Sequence, residues 1–360
     1  MKHHKIVVYA ICKNEEQFVD RWMDSMREAD EVVVTDTGSA DHTVERLRER
    51  GAKVFEETVS PWRFDTARNL SLGHVPQDAE ICVCTDLDEV LCPGWRKALE
   101  RWWKPGTKMA KYWYNWSHKE DGSPGVRFRY FKIHERNSYR WEYPVHECLK
   151  YCGEGPEKII FMDDVVLDHY PDPSKSRGNY LSLLEQAVAE NPRDDRMAYY
   201  LGREYMYYGM WEKCVKMLKR HLSLPSAVWA EERCASMRWI AKSYYRLNRV
   251  GEARAWYLRA IAESPMREPY VEFAQMAYEL GDWPTVFCMT EEALKIVRRS
   301  EVYTNMGYAW DYTPDDLCAI ACYRLGMFRR SAEHARAALA FSPDDERLKN
   351  NLRLIEEKLA

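Results

Sequence analysis

Glu80-Ile81-Cys82-Val83-Cys84-Thr85 runs directly into Asp86-Leu87-Asp88-Glu89. A short apolar run bounded by polar turn residues reads as a buried strand. Two carboxylates, one residue apart, then leave its carboxyl end. Such a pair offers hard oxygen donors to a divalent cation, and a cation held there offsets the charge of a diphosphate. Asp-X-Asp also occurs on many ordinary surface turns, so its weight depends on what surrounds it.

Upstream, strands and helices alternate. Ile6 to Cys12 reads as a strand, and Phe18, Val19, Trp22, Met23 and Met26 follow at helical spacing. Glu31 to Thr35 is a second strand, closed by the turn residues Asp36-Thr37-Gly38-Ser39. Asp41 is placed to cap a helix carrying Val44 and Leu47, which stops near Gly51. Lys53 to Phe55 is a short strand, and Phe64 to Leu72 a helix. This alternation predicts an α/β domain with right-handed crossovers and a mostly parallel sheet. Ligands of such sheets gather beyond the carboxyl ends of the strands. The polar clusters at 13–16, 36–41 and 85–89 should therefore meet in one crevice. Residues 110–150 change style. Tyr112-Trp113-Tyr114-Asn115-Trp116, Asp121-Gly122 and the alternating Val126 to Ile133 read as antiparallel hairpins. Aromatic faces there suit sugar rings, and Arg127, Arg129 and Arg140 suit phosphates.

From about Ser174 the pattern turns helical. Gly202, Ala241, Ala274 and Ala319 lie 39, 33 and 45 residues apart, and similar residues recur at fixed offsets around them. These intervals bracket the tetratricopeptide period of about 34 residues. Small residues at such positions let paired helices approach closely. Tyr180 to Pro192 matches the second helix of one further repeat, and Asp344 to Ala360 a terminal capping helix. The expected organisation is a first domain over residues 1–172 and a repeat domain over 173–360.

Four motifs in the first domain resemble the family 2 glycosyltransferases, which have the nucleotide-sugar-binding GT-A fold. Tyr9 to Glu16 is similar to that family's first strand and KNEE signature. Val34 to Thr43 resembles its DTGSTDGT turn. Phe64, Ala67, Arg68 and Asn69 resemble its F..ARN element, and Asp86-Leu87-Asp88 its metal-binding motif. The resemblance implies an α/β GT-A (Rossmann-like, mostly parallel sheet) domain, followed by an all-α tetratricopeptide-repeat solenoid. That domain order is also similar to the sublancin-type peptide S-glycosyltransferases.

The resemblance further implies roles. Asp36, Glu15, Asp86 and Arg68 would bind the nucleotide sugar, a UDP-sugar in this reading. Asp88 would bind Mn2+ or Mg2+. His169, in Asp168-His169-Tyr170-Pro171, would be a further metal ligand. Arg68 has an alternative reading as an ion pair tying helix to sheet. The family's usual Glu-Asp pair for the general base is missing, and His146-Glu147 takes its place, with Glu147 as the catalytic base. The implied reaction is a metal-dependent inverting transfer to a hydroxyl or thiol. A peptide or protein acceptor would be bound by the repeats, which could equally form a homodimer interface. Transfer to a glycan or modified nucleobase, or an inactive transferase-like scaffold, are the competing readings.

Composition narrows the classes. The 360 residues hold 53 Lys+Arg against 57 Asp+Glu, a net charge of −4. That balance argues against a dedicated nucleic-acid binder. No apolar run approaches the roughly 18 residues of a membrane span, and no secretory signal is expected. The eleven Cys include no C-x-x-C, so no zinc framework is expected. Free thiols suit a reducing cytoplasm.

Overall fold

The computed structural model describes residues 3–172, 178 and 180–359. The chain divides into two compact units, Met1–Ala187 and Val188–Ala360.

The first unit is built on one eight-stranded sheet. Its leading elements are β1 (Ile6–Cys12), α1 (Val19–Met26), β2 (Glu31–Asp36), α2 (Thr43–Glu49), β3 (Lys53–Glu56), α3 (Phe64–His74) and β4 (Ile81–Cys84). Then come β5 (Glu89–Leu91), α4 (Trp95–Trp102), β6 (Met109–Asn115), β7 (Arg127–Glu135), β8 (Tyr139–Glu142), β9 (Cys148–Tyr151) and β10 (Ile159–His169). The strand order is β3-β2-β1-β4-β7-β6-β10-β5, with β8 and β9 forming a separate hairpin.

All seven residues of β1 are buried, as an apolar run in the middle of a parallel sheet requires. Ile6, Val8 and Ala10 pack on one face with Trp22, Leu47 and Trp95. Val7 and Tyr9 pack on the other with Leu72, Cys82 and Trp141. The parallel arrangement expected from sequence holds over β3-β2-β1-β4. Beyond β4 the sheet is mixed. Strand β7 pairs antiparallel with β4, β6 pairs antiparallel with β7, β10 runs parallel to β6, and β5 closes the edge antiparallel to β10.

The helical part begins with α5 (Tyr180–Glu190). The expected helical onset near Ser174 lies outside the described residues. Four helix pairs follow: α6 (Asp195–Tyr207) with α7 (Trp211–Ser223), α8 (Ala230–Arg246) with α9 (Val250–Glu263), α10 (Glu268–Glu279) with α11 (Trp283–Lys295), and α12 (Thr313–Arg324) with α13 (Phe328–Phe341). Helix α14 (Glu346–Glu356) ends the unit. Each pair turns on one residue with positive φ: Gly209, Asn248, Gly281 and Gly326. These turn residues are 39, 33 and 45 positions apart, the same intervals as Gly202, Ala241, Ala274 and Ala319. Those four small residues are buried, and at Gly202 an added Cβ would stand 2.2 Å from Leu218 Cδ2. The period seen in sequence is thus one backbone turn and one close helix contact, repeated four times.

Candidate active site

Strand order reverses between β1 and β4, since β2 and β3 extend to one side and β4 opens the other. Doubly wound sheets bind ligands at such a switch point, beyond the carboxyl ends of the strands. The loops following β1, β2 and β4 carry the three polar clusters identified in the sequence.

The first two loops lace together. Asp36 is 2% exposed and accepts hydrogen bonds from the Gly38 and Ser39 N–H groups, both at 2.9 Å. Gly38 has φ +99°, a conformation that suits glycine. Asn14 N–H donates to Ser39 Oγ, and Ala40 N–H to Asn14 Oδ1. Glu15 is buried, and its N–H donates to Thr43 Oγ1 at 2.7 Å. Asp41 accepts from the Thr43 N–H and hydroxyl. The Asp36 carboxylate therefore has a structural task in this turn, on top of any ligand it meets.

The end of β4 is built differently. Arg68, on α3, is 4% exposed. Its Nη2 donates to Asp86 Oδ1 at 2.8 Å, and its Nε to Glu147 Oε1 at 2.5 Å. The Trp141 ring lies 5.0 Å from the same guanidinium. Its neighbour Asn69 donates to the Trp141 carbonyl and accepts from the Trp141 N–H. Phe64 N–H donates to the Pro144 carbonyl. Helix α3 thus fixes the 143–147 loop against the end of β4. The ion-pair alternative for Arg68 is the arrangement found, and both its partners are candidate site residues.

That loop carries two non-glycine residues with positive φ, Tyr143 at 84° and His146 at 52°. Such backbone is costly and persists where its surroundings hold it. The His146 ring meets Tyr180 edge-on at 5.8 Å.

Lys132 completes the charge cluster, and sequence reasoning missed it. Its Nζ donates to Asp86 Oδ2 at 2.8 Å and approaches Glu89 Oε1 at 3.3 Å. Glu89 also accepts from the Tyr114 hydroxyl and the Asp86 N–H. Burial opposes ionisation of Asp86, yet Arg68 and Lys132 hold its carboxyl well below the usual carboxylate range. Burial pushes the Glu89 carboxyl up, even beside Lys132. A signal for Lys132 existed: Arg127 and Arg129 keep one phase along β7, and Lys132 falls in the other.

Asp88 and His169 meet through strand register. Strand β5 leaves the Asp-X-Asp turn and pairs with the end of β10, setting Glu89 opposite His169. Asp88 Oδ2 then lies 3.4 Å from His169 Nε2. His169 Nδ1 is 3.0 Å from the Trp116 carbonyl, and its ring stacks on Trp116 at 4.5 Å. A carbonyl oxygen only accepts, so Nδ1 carries the proton and Nε2 is turned to Asp88. Two donors aimed at one point suit Mg2+ or Mn2+, which take further oxygens from water and phosphate. Asp86 is already engaged by Arg68 and Lys132, whereas Asp88 faces His169. Asp168 instead pairs with Asn115 and His118.

Residues 7–152 match the model of the family described as Glycosyl transferase family 2. The match takes in the strands and the switch-point loops of the sheet unit, and it supports glycosyl transfer as a general activity. Family members generally use nucleotide-sugar donors and divalent metals. Among the solved structures that resemble part of this chain are the APC/C hetero-tetramer Cut9–Hcn1 (12% identity, 50% of this chain and 33% of that one, TM-score 0.39), yeast Tom70 (16%, 52% and 37%, TM-score 0.38), and a thermophilic TPR protein of Thermus thermophilus (17%, 49% and 89%, TM-score 0.35). The chain spans about a third of the length of the first two. The repeat architecture stands on the four helix pairs themselves. Among the described residues no helix is long and apolar enough to cross a membrane.

Proposed function

We propose that this protein is a metal-dependent inverting glycosyltransferase. In this reading it moves a sugar from a UDP-sugar to a hydroxyl or thiol of a peptide or protein. The observation that carries the reading is the Asp86-Leu87-Asp88 turn after β4, gripped by Arg68 at Asp86 and facing His169 at Asp88, in the region that matches the family 2 model.

In this reading Asp36 meets the uracil or ribose, Glu15 and Asp86 the ribose, and Arg68 supports the nucleotide or an acidic neighbour. Asp88 and His169 would hold the cation, which when bound offsets the charge of the diphosphate leaving group. Glu147 takes the proton from the acceptor as the acceptor oxygen or sulfur bonds to the anomeric carbon. The bond from that carbon to the diphosphate breaks in the same step. Arg68 holds Glu147 Oε1, which fixes the carboxylate and leaves Oε2 to act. The catalytic domain is assigned to residues 1–172. The repeats, residues 173–360, would bind the acceptor in the concave groove such stacks form, or pair two copies. Eleven free thiols suit a cytoplasmic protein.

The test is Asp88→Asn, assayed for nucleotide-sugar turnover with Mn2+. Turnover should fall by roughly 10²–10³-fold, and a chelator should do the same to the wild-type chain. Undiminished turnover in either case removes the metal assignment. A second reading, a scaffold that binds donor without transfer, is favoured by the Arg68 grip on Glu147. It predicts a UDP-sugar thermal shift but no turnover in the wild-type chain.

A further inference from the structure

A second histidine–carboxylate constellation lies in the repeat unit. Helix α11 supplies Glu291, α12 supplies Asp315 and Cys318, and α13 supplies His334. The side-chain donors of Glu291, Cys318 and His334 all lie within 4.8 Å of one another. His334 Nε2 is 3.0 Å from Glu291 Oε1, and Cys318 Sγ is 3.6 Å from that same oxygen. With Zn–S near 2.3 Å and Zn–N or Zn–O near 2.0–2.1 Å, tetrahedral zinc needs donor separations of about 3.3–3.7 Å. The cluster is close to that spacing already.

Its surroundings match as well. His334 Nδ1 lies 2.8 Å from Asp315 Oδ1, which orients the ring and turns Nε2 toward the cluster. A carboxylate behind a ligating imidazole is the usual support of such a ligand. Arg330 holds the other oxygen of Glu291, so Oε1 alone faces Cys318 and His334. Glu291 and His334 line an open cavity of about 540 Å3, which gives an ion a way in and leaves room for a water.

We propose that Glu291, Cys318 and His334 form a zinc site that ties α11, α12 and α13 together. Thiolate with imidazole selects zinc over the hard ions suited to Asp88 and His169. No C-x-x-C marks this site in the sequence. Here one thiol meets ligands from two other helices.

The test uses the full chain, stripped with a chelator and titrated with Co2+ as a spectroscopic stand-in. One equivalent should produce a near-ultraviolet thiolate-to-cobalt charge-transfer band that Zn2+ displaces. The band should vanish in C318S and H334A and survive in D88N. Affinity in D315N should fall by roughly 10–100-fold. No band in the wild-type chain, or a band that persists in C318S, overturns the proposal. The four groups are then an ion-free clamp, with an imidazolium held between two carboxylates. The wild-type titration decides this even where a variant fails to fold.

Discussion

The two units are held together in different ways. In the sheet unit, one cluster draws Arg68, Asp86, Glu89, Lys132 and Glu147 from separate elements, and Arg68, Asp86 and Lys132 each meet two charged partners. In the repeat unit, one local solution recurs: a small residue facing the partner helix and a positive-φ turn seven residues later. The first arrangement concentrates chemistry and makes it fragile. The second spreads stability over nearly independent contacts. Removing one charge from the first should therefore cost much and couple strongly to its neighbours. Changes in different repeats should cost little and add.

The largest structural effect is expected at Arg68. Arg68→Met leaves Asp86 and Glu147 facing each other without their shared cation. Breaking a buried pair this way costs about 3–5 kcal/mol. Asp86 has 32% of its side chain exposed and can turn to water, so the lower end applies. Lys132→Met strands Glu89, whose side chain is 2% exposed, and should cost about as much. Each single variant leaves Asp86 one cation and only the double leaves it none, so the double variant should lose clearly more than the two losses combined. Denaturant unfolding of the four chains measures this. Strict additivity would mean that the cluster is not the coupled unit described.

The same contrast decides what was legible in the sequence. The repeats could be read because their contacts are local and recur at fixed intervals. Strands β1, β2 and β4 could be read because a strand buried on both faces needs an unbroken apolar run. The charge cluster could not, because its contacts join residues 46 and 79 positions apart. Motif likeness placed Arg68, Asp86 and Asp88 on the page, yet it did not show that one guanidinium grips both Asp86 and Glu147. The meeting of His169 with Asp88 depends on the register of β5 against β10, a three-residue strand that no periodicity announces. Lys132 left only its broken phase, a weak signal in a strand so rich in aromatics.

Smaller effects test the repeat unit. In Gly202→Ala the new Cβ would stand 2.2 Å from Leu218 Cδ2 and 2.5 Å from its Cγ. Overpacking costs about 1–3 kcal/mol, and the gain in helix propensity returns about 1 kcal/mol. A net loss of about 1 kcal/mol is expected in denaturant unfolding. No loss would mean that α6 and α7 separate more easily than this contact implies.

The smallest effects fall at the turns, where the repeats supply their own control. Gly281 and Asn248 hold equivalent positions, with φ of 69° and 58°. An added Cβ at Gly281 meets nothing within 4 Å, so Gly281→Ala reports backbone strain alone. About 1 kcal/mol should be lost, since an ordinary L-residue in this region costs about 1–2 kcal/mol and alanine recovers part of that by restricting the unfolded chain. Asn248→Gly runs the other way. Asparagine tolerates the left-handed region, so the strain relieved is small, and the freedom of glycine in the unfolded chain offsets much of it. The expected gain is under about 0.5 kcal/mol. If the repeats are independent, the double variant shows the sum of the two changes. A deviation beyond about 0.5 kcal/mol would instead mean that neighbouring turns are coupled, which would bring the repeat unit closer to the cooperative behaviour of the sheet.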